Sequence, residues 1–378
     1  MSGSCRASGS LRSVLVAAAV AALAVPASAG DKFAYIHDRG GDTDRIRAYA
    51  VDATGLLTEV AGSPFASSGL PGGAFSNCAT MAPMKFGKQH YLFTSAADGV
   101  VVWKIADDGV LTEVPGSPFD DGIGPQGYLG TGALVVGGKL FIYSAVLNSD
   151  VVVDFEVQAD GTLVPLPGPH ASTGADPIGL AAARRTVLTA DSTSSTLSAF
   201  RVGNDGSLTP APGSPFTVTG GTWSVSLDRN GRFAYSLDEG TGLHAWSVSA
   251  SDSTLTELAG SPFAKGFTGK WSGGEFVGSK LFFACRWPTP AAGDLDITVL
   301  KRASDGSLTT IGYQTTGFAS IDVHAVDQDG KFFLAVSADN SRPNVHLYRL
   351  DSRRGELIVA DEKQVELGGP YDAEIVEL

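Results

Sequence analysis

The chain has 378 residues, with 40 acidic against 27 basic side chains and a formal charge of −13. That balance excludes an electrostatic footprint for nucleic acid or for an anionic membrane, so neither is expected as a partner. The length is ample for a large core but does not by itself fix a domain count.

The first element is not part of the fold. Arg6 and Arg12 form a basic start, Val14 to Val25 an apolar run, and Ala27-Ser28-Ala29 an A-x-A cleavage site, which together make the pattern of a secretory signal peptide. The sequence therefore predicts a leader over 1–29, cut after Ala29, and one domain over 30–378 that is secreted or periplasmic. Cys5 precedes the apolar run, so a lipid anchor is not expected, and no other apolar stretch approaches the roughly 20 residues of a membrane span. Loss of the leader removes two arginines and no acid, which moves the charge from −13 to −15. A monomer is expected.

From there one phrase recurs. Residues 48–65 read AYAVDATGLLTEVAGSPF, 102–119 VWKIADDGVLTEVPGSPF, 199–216 AFRVGNDGSLTPAPGSPF and 245–263 AWSVSASDSTLTELAGSPF. Weaker copies of the first half stand at 153–168, 298–312 and 346–360. The leucine after the turn falls at 57, 111, 163, 208, 255, 308 and 357, a period of about 50 that marks a propeller or a solenoid array. Each copy alternates apolar and polar residues, turns at a D-G pair and continues as L-T, which is a hairpin. A second hairpin lies between copies, as in SVSLDRNGRFAYSLD (224–238) and DVHAVDQDGKFFLAV (322–336). Each unit thus has four short strands, A to D from the inside outwards, and no segment reads as an amphipathic helix. The expected fold is an all-β, seven-bladed β-propeller of four-stranded antiparallel blades. The domain begins at a strand B, DKFAYIHD, and ends with an extra strand, PYDAEIVEL. Residues 371–378 are predicted to pair with 32–37 and close the ring, consuming both sheet edges. GSPF is expected where each outer strand leaves its blade, with Pro ending the ladder, Gly permitting the bend and Phe filling the wedge between blades.

A ligand site is expected at the channel mouth, on the face carrying the D–A and B–C loops, where residues depart from the repeat. The B–C corners carry Asp38, Asp98, Asn148, Asp191, Asp238 and Asp339, expected to bond local backbone; a ring of such carboxylates leaves a divalent cation as a possible ligand, although no D-x-D-x-D-G loop is present and no cofactor is required. Asp322 and His324, two apart on strand A of blade 7, share a face, as do Asp372 and Glu374 on the closing strand. His37 should lie near Asp372 by antiparallel pairing. Blade 6 contributes Glu275 and the corner Cys285-Arg286-Trp287-Pro288. Hydrolysis of an ester or lactone without a nucleophile needs a base near neutrality and a cation at the developing oxyanion. His324 or His37, set by Asp322 or Asp372, is the expected base, and Arg286 or Arg39 the expected cation. The opposing expectation is that these histidines are satisfied by sheet neighbours. G-x-S-x-G, H-E-x-x-H, P-loop and dinucleotide motifs are all missing. Cys78 and Cys285 are placed in blades 2 and 6, too far apart for a disulfide, and are expected as separate thiols.

The D-x-x-G-R-F-x-Y run (Asp228–Tyr235), the D-G-x-L-T hairpin (Asp305–Thr309) and the recurrent GSPF resemble the lactonase-like seven-bladed propellers, a family that includes the bacterial 6-phosphogluconolactonase type and carboxymuconate cyclases. The resemblance spans residues 30–378. It implies His, Arg and Glu side chains around the channel mouth. A P-H pair at the start of inner strands, familiar in that family, is missing here: Pro177 precedes Ile178 and Pro370 precedes Tyr371. Two functions stay open, a lactone or ester hydrolase and a secreted propeller that binds a small molecule or another secreted or surface protein.

Overall fold

The computed structural model describes residues 32–39, 43–71, 80–237, 242–264, 270–277, 281–287, 297–316, 321–351 and 354–378; for 39, 270–273, 275–277 and 281–287 the description is of the backbone. Among the described residues there is no α-helix, and the strands form seven antiparallel sheets of at least four strands each. The innermost strands are Pro370–Glu377 in blade 1, then Met81–Phe86, Tyr128–Val136, Pro177–Ala183, Ser224–Leu227, Lys270–Val277 and Val323–Val326. Each touches the next, and the last touches Pro370–Glu377, so the ring is complete.

The seam is the expected one, shifted by a residue. Pro370–Glu377 runs antiparallel to Lys32–Arg39, with Lys32 opposite Glu377 and His37 opposite Asp372. Asp38, fully buried, fastens its entry by accepting from the Gly368 and Gly369 amides at 2.9 and 3.2 Å, while the Arg45 guanidinium grips the same carboxylate at 2.7 Å. Asp191 likewise accepts from Thr189, Ser198 and Thr196 hydroxyls and the Gly174 amide. These corner carboxylates hold loops, because a buried charge is tolerated only where such donors replace water.

The F-x-Y signature has a packing role. Tyr35, Tyr143 and Tyr235 sit on the second strands of blades 1, 3 and 5, and their hydroxyls donate to the carbonyls of Gly109, Gly206 and Gly306 in the D-G turns of the following blades, at 3.0, 2.8 and 2.6 Å. Those glycines have positive φ, and a Cβ on each would lie 2.2–2.4 Å from the ring of Phe33, Phe141 or Phe233. An aromatic of one blade is thus pressed flat on the turn of the next, and burying each ring is worth about 2–3 kcal/mol.

GSPF interrupts the outer strand but does not end the ladder as expected. The glycine is left-handed, the four Ser–Pro bonds are cis, and pairing with strand C resumes at the phenylalanine, as in Ile46 opposite Phe65 and Leu197 opposite Phe216. The bulge would leave one strand-C amide bare, and the serine hydroxyl covers it. Ser63, Ser117, Ser214 and Ser261 accept from the amides of Ala48, Val102, Ala199 and Ala245 at 2.9–3.1 Å. The phenylalanines pack into the apolar wedges between blades, as expected.

Gly206→Ala should destabilise by about 2 kcal/mol or more in urea titration, because it combines strain at positive φ with overlap against Phe141. Tyr143→Phe should cost about 1 kcal/mol, the net worth of one buried hydrogen bond.

Candidate functional site

The inner wall beside the seam carries a titratable carboxyl, Asp372. Asp372 follows Tyr371 on the closing strand and turns towards blade 2. Its Oδ2 accepts from the Met81 amide at 2.6 Å, and its Oδ1 from the Ala373 amide at 2.9 Å. The residue keeps some accessibility yet is enclosed by both inner strands, and this desolvation outweighs the two amides and pushes its carboxyl up to about 7. Glu374 lies two residues on, with the same facing.

His37 is the ladder partner of Asp372 and is buried. Its ring meets Tyr371 edge-on at 5.0 Å. The carboxylate nearest to it in an ion-pair geometry is that of Asp44, also buried, with Oδ2 3.6 Å from Nε2. Among the described residues, His37 Nδ1 and both Asp44 oxygens have no hydrogen-bond partner. The expected orientation of His37 by Asp372 is therefore not what is found: the Asp372 oxygens are committed to amides, and Asp44 takes the place. The sequence carried one signal for Asp44, since it opens the strand paired with His37 and stands two residues from Ile46, the ladder partner of His37.

Blade 7 departs from expectation in a similar way. Asp322 stands just before the inner strand Val323–Val326, and its Oδ2 accepts from the Ala338 amide at 2.7 Å, fastening the B–C corner of its own blade. It does not orient His324, whose two ring nitrogens find no hydrogen-bond partner among the described residues. The imidazole is buried, stacked on Phe333 at 6.0 Å, and burial pushes its pKa down to about 4. Nor is it satisfied by sheet neighbours, the opposing expectation. Phe333 packs with Ile297 and Val299 of blade 6, so His324 faces the blade 6–7 wedge while Asp372 faces blade 2. The inner strands of blades 7 and 1 touch, but these two side chains point into different wedges.

In blade 6 the backbone places Glu275 opposite Phe283 and Arg286 opposite Trp271. The side chains of Glu275, Cys285, Arg286 and Arg39 lie outside the description, as do Cys78 and Asp238 altogether. Among the described residues no group of three or more His, Cys, Asp or Glu could hold a metal ion, and no helix is long and apolar enough to cross a membrane.

A ring of seven four-stranded blades closed by a seam strand is the architecture that the resemblance to the lactonase-like propellers implies. Three solved structures are similar to it in fold. A candidate 6-phosphogluconolactonase from Bacteroides fragilis aligns with 17% identity and TM-score 0.67 over 93% of this chain and 99% of that one. The periplasmic gluconolactonase of Pseudomonas aeruginosa aligns with 16% identity and TM-score 0.65 over 91% and 99%. A second candidate 6-phosphogluconolactonase, from Bacteroides uniformis, aligns with 16% identity and TM-score 0.64 over 91% and 99%. No family model and no curated protein matches the chain. At such identities the likeness establishes the fold.

The two displaced groups act oppositely on stability. Asp372, raised from 3.8 to about 7, binds its proton more tightly when folded, so its contribution is full below pH 3.8 and is lost as pH rises towards 7. His324, lowered from 6.5 to about 4, favours the fold above pH 6.5 and ceases to as pH falls through 4. Asp372→Asn should therefore raise the thermal midpoint at pH 8 and not at pH 4. His324→Phe should flatten the loss of stability between pH 6.5 and 4.

Proposed function

We propose that the protein is an exported hydrolase of lactones or related cyclic esters, acting on a small molecule at the channel mouth beside the seam. The observation that carries this is the placement of the Asp372 carboxyl on the inner wall, enclosed between the inner strands of blades 1 and 2 with its oxygens on the Met81 and Ala373 amides, a burial that raises its pKa to about 7. A base at that value is half ionised at neutral pH and still strong enough to take a proton. Ionised Asp372 would take a proton from water as its oxygen adds to the lactone carbonyl. The tetrahedral intermediate would collapse with cleavage of the ring C–O bond, and the leaving alkoxide would receive the proton back from Asp372. His37 and Glu374 would border the site, with Glu275 on blade 6 as its further rim; Arg286 or Arg39 would face the oxyanion. The fold shared with a periplasmic gluconolactonase supports the reading, as does the leader pattern of residues 1–29. These steps call on the chain's own groups, and a divalent cation would reveal itself as sensitivity to chelator.

The test is a screen of γ- and δ-lactones, gluconolactone included, with and without chelator. Expected is a kcat/KM that climbs with pH through about 7, since the ionised carboxylate is the active form. Asp372→Asn should remove that inflection and cost about 10²–10⁴ in rate. An unchanged rate and profile in Asp372→Asn would discard this base. No turnover of any lactone, with a ligand still raising the melting temperature, would favour a binding propeller. Mass spectrometry of the exported protein should find Gly30 as its first residue.

A further inference from the structure

The face opposite the channel mouth carries a cleft of about 690 Å³ between blades 4 and 5. Its walls are the first hairpin turns of the two blades, where Gly231 of one packs against Ala183 and Arg184 of the other. Four arginines line it: Arg184 and Arg185 in the turn of blade 4, Arg201 on its third strand, and Arg232 beside the turn of blade 5, with Asn230 on the rim. In a chain of charge −13 this grouping runs against the composition.

None of the four arginines makes an ion pair among the described residues. Arg185 donates to the Val202 carbonyl at 3.3 Å and the Asn204 side chain at 2.5 Å, which fixes its guanidinium. Arg232 lies over the Phe233 ring at 5.3 Å. The acids nearest in sequence are engaged elsewhere. Asp228 accepts from the amides of Arg232 and Phe233 and pairs with Arg302, while Asp205 binds its own turn through Ser207. Arg184 also adopts a left-handed φ of 54° where blades 2 and 3 place Gly87 and Gly137. A long cationic side chain at a position that favours glycine carries a local backbone cost.

We propose that this cleft binds a ligand carrying two or more phosphate groups. Guanidinium forks match phosphate oxygens two at a time, and the volume exceeds what one phosphate fills. The site is separate from the seam and does not rest on the hydrolase reading.

Isothermal titration with tripolyphosphate should give saturable 1:1 binding that weakens with salt. A short glycerol-phosphate oligomer, titrated in parallel, separates a free oligophosphate from a phosphate-repeat polymer by which of the two binds tighter. Citrate, a tricarboxylate of similar charge, should bind much more weakly. The pair Arg184→Gln and Arg201→Gln should lower affinity by about tenfold or more, and Arg232→Gln alone gives an independent check should the pair fail to fold. Asp372→Asn should leave this binding intact. Absence of saturable binding, indifference to the arginine changes, or citrate binding as tightly as tripolyphosphate would each overturn the proposal.

Discussion

The seam between Pro370–Glu377 and Lys32–Arg39 is the constraint on which the remainder depends. An open stack of six complete blades and one of three strands would expose two edges with unpaired amides and carbonyls, and closure removes both. The chain invests in it beyond the ladder. Lys32, almost buried, reaches Asp327 of blade 7 at 2.7 Å and Asp329 at 3.2 Å, and Arg45 donates to the Glu366 carbonyl at 3.0 Å. Burial alone would lower the Lys32 pKa, and the pull of Asp327 overrides it and raises it. The proposed base, Asp372, sits on this same strand, so its amide partner Met81 on blade 2 is reached only while the ring is shut.

Around the inner wall the same physics has opposite signs. Removing a carboxyl from water favours its neutral form and raises Asp372, whereas removing an imidazole favours its neutral form and lowers His324. Desolvation is the leading cause of both shifts. The inner strands are crowded by adjacent blades on both faces, and that crowding sets the protonation of whatever polar group the sequence places there.

The fold was largely legible because its determinants are local and repeated. The D-G turn with its following leucine and GSPF each encode one geometry several times, and the extra strand at 370–377 left one place to go. What each GSPF serine does was hidden, since its partner amide lies 15 or 16 residues earlier. For the candidate site residues, strand register was legible, as in His37 opposite Asp372, but side-chain orientation was not. Periodicity put Asp322 with His324 and Asp372 with His37, yet it carries no information on which oxygen an amide claims first. Hence Asp322 is committed to Ala338, Asp372 to Met81, and Asp44 to the neighbourhood of His37. The arginine cleft was hidden for a simpler reason: Arg184, Arg201 and Arg232 come together only through the packing of two blades.

The seam also has a mechanical consequence. Because its strands are antiparallel, Lys32 and Glu377 are neighbours at one end of the ladder, and tension applied across them loads one pair of backbone bonds at a time. Such a joint peels instead of shearing. Under force this propeller should give way first at the join that makes it a ring, long before the continuous hairpins of blades 2 to 6 feel the pull.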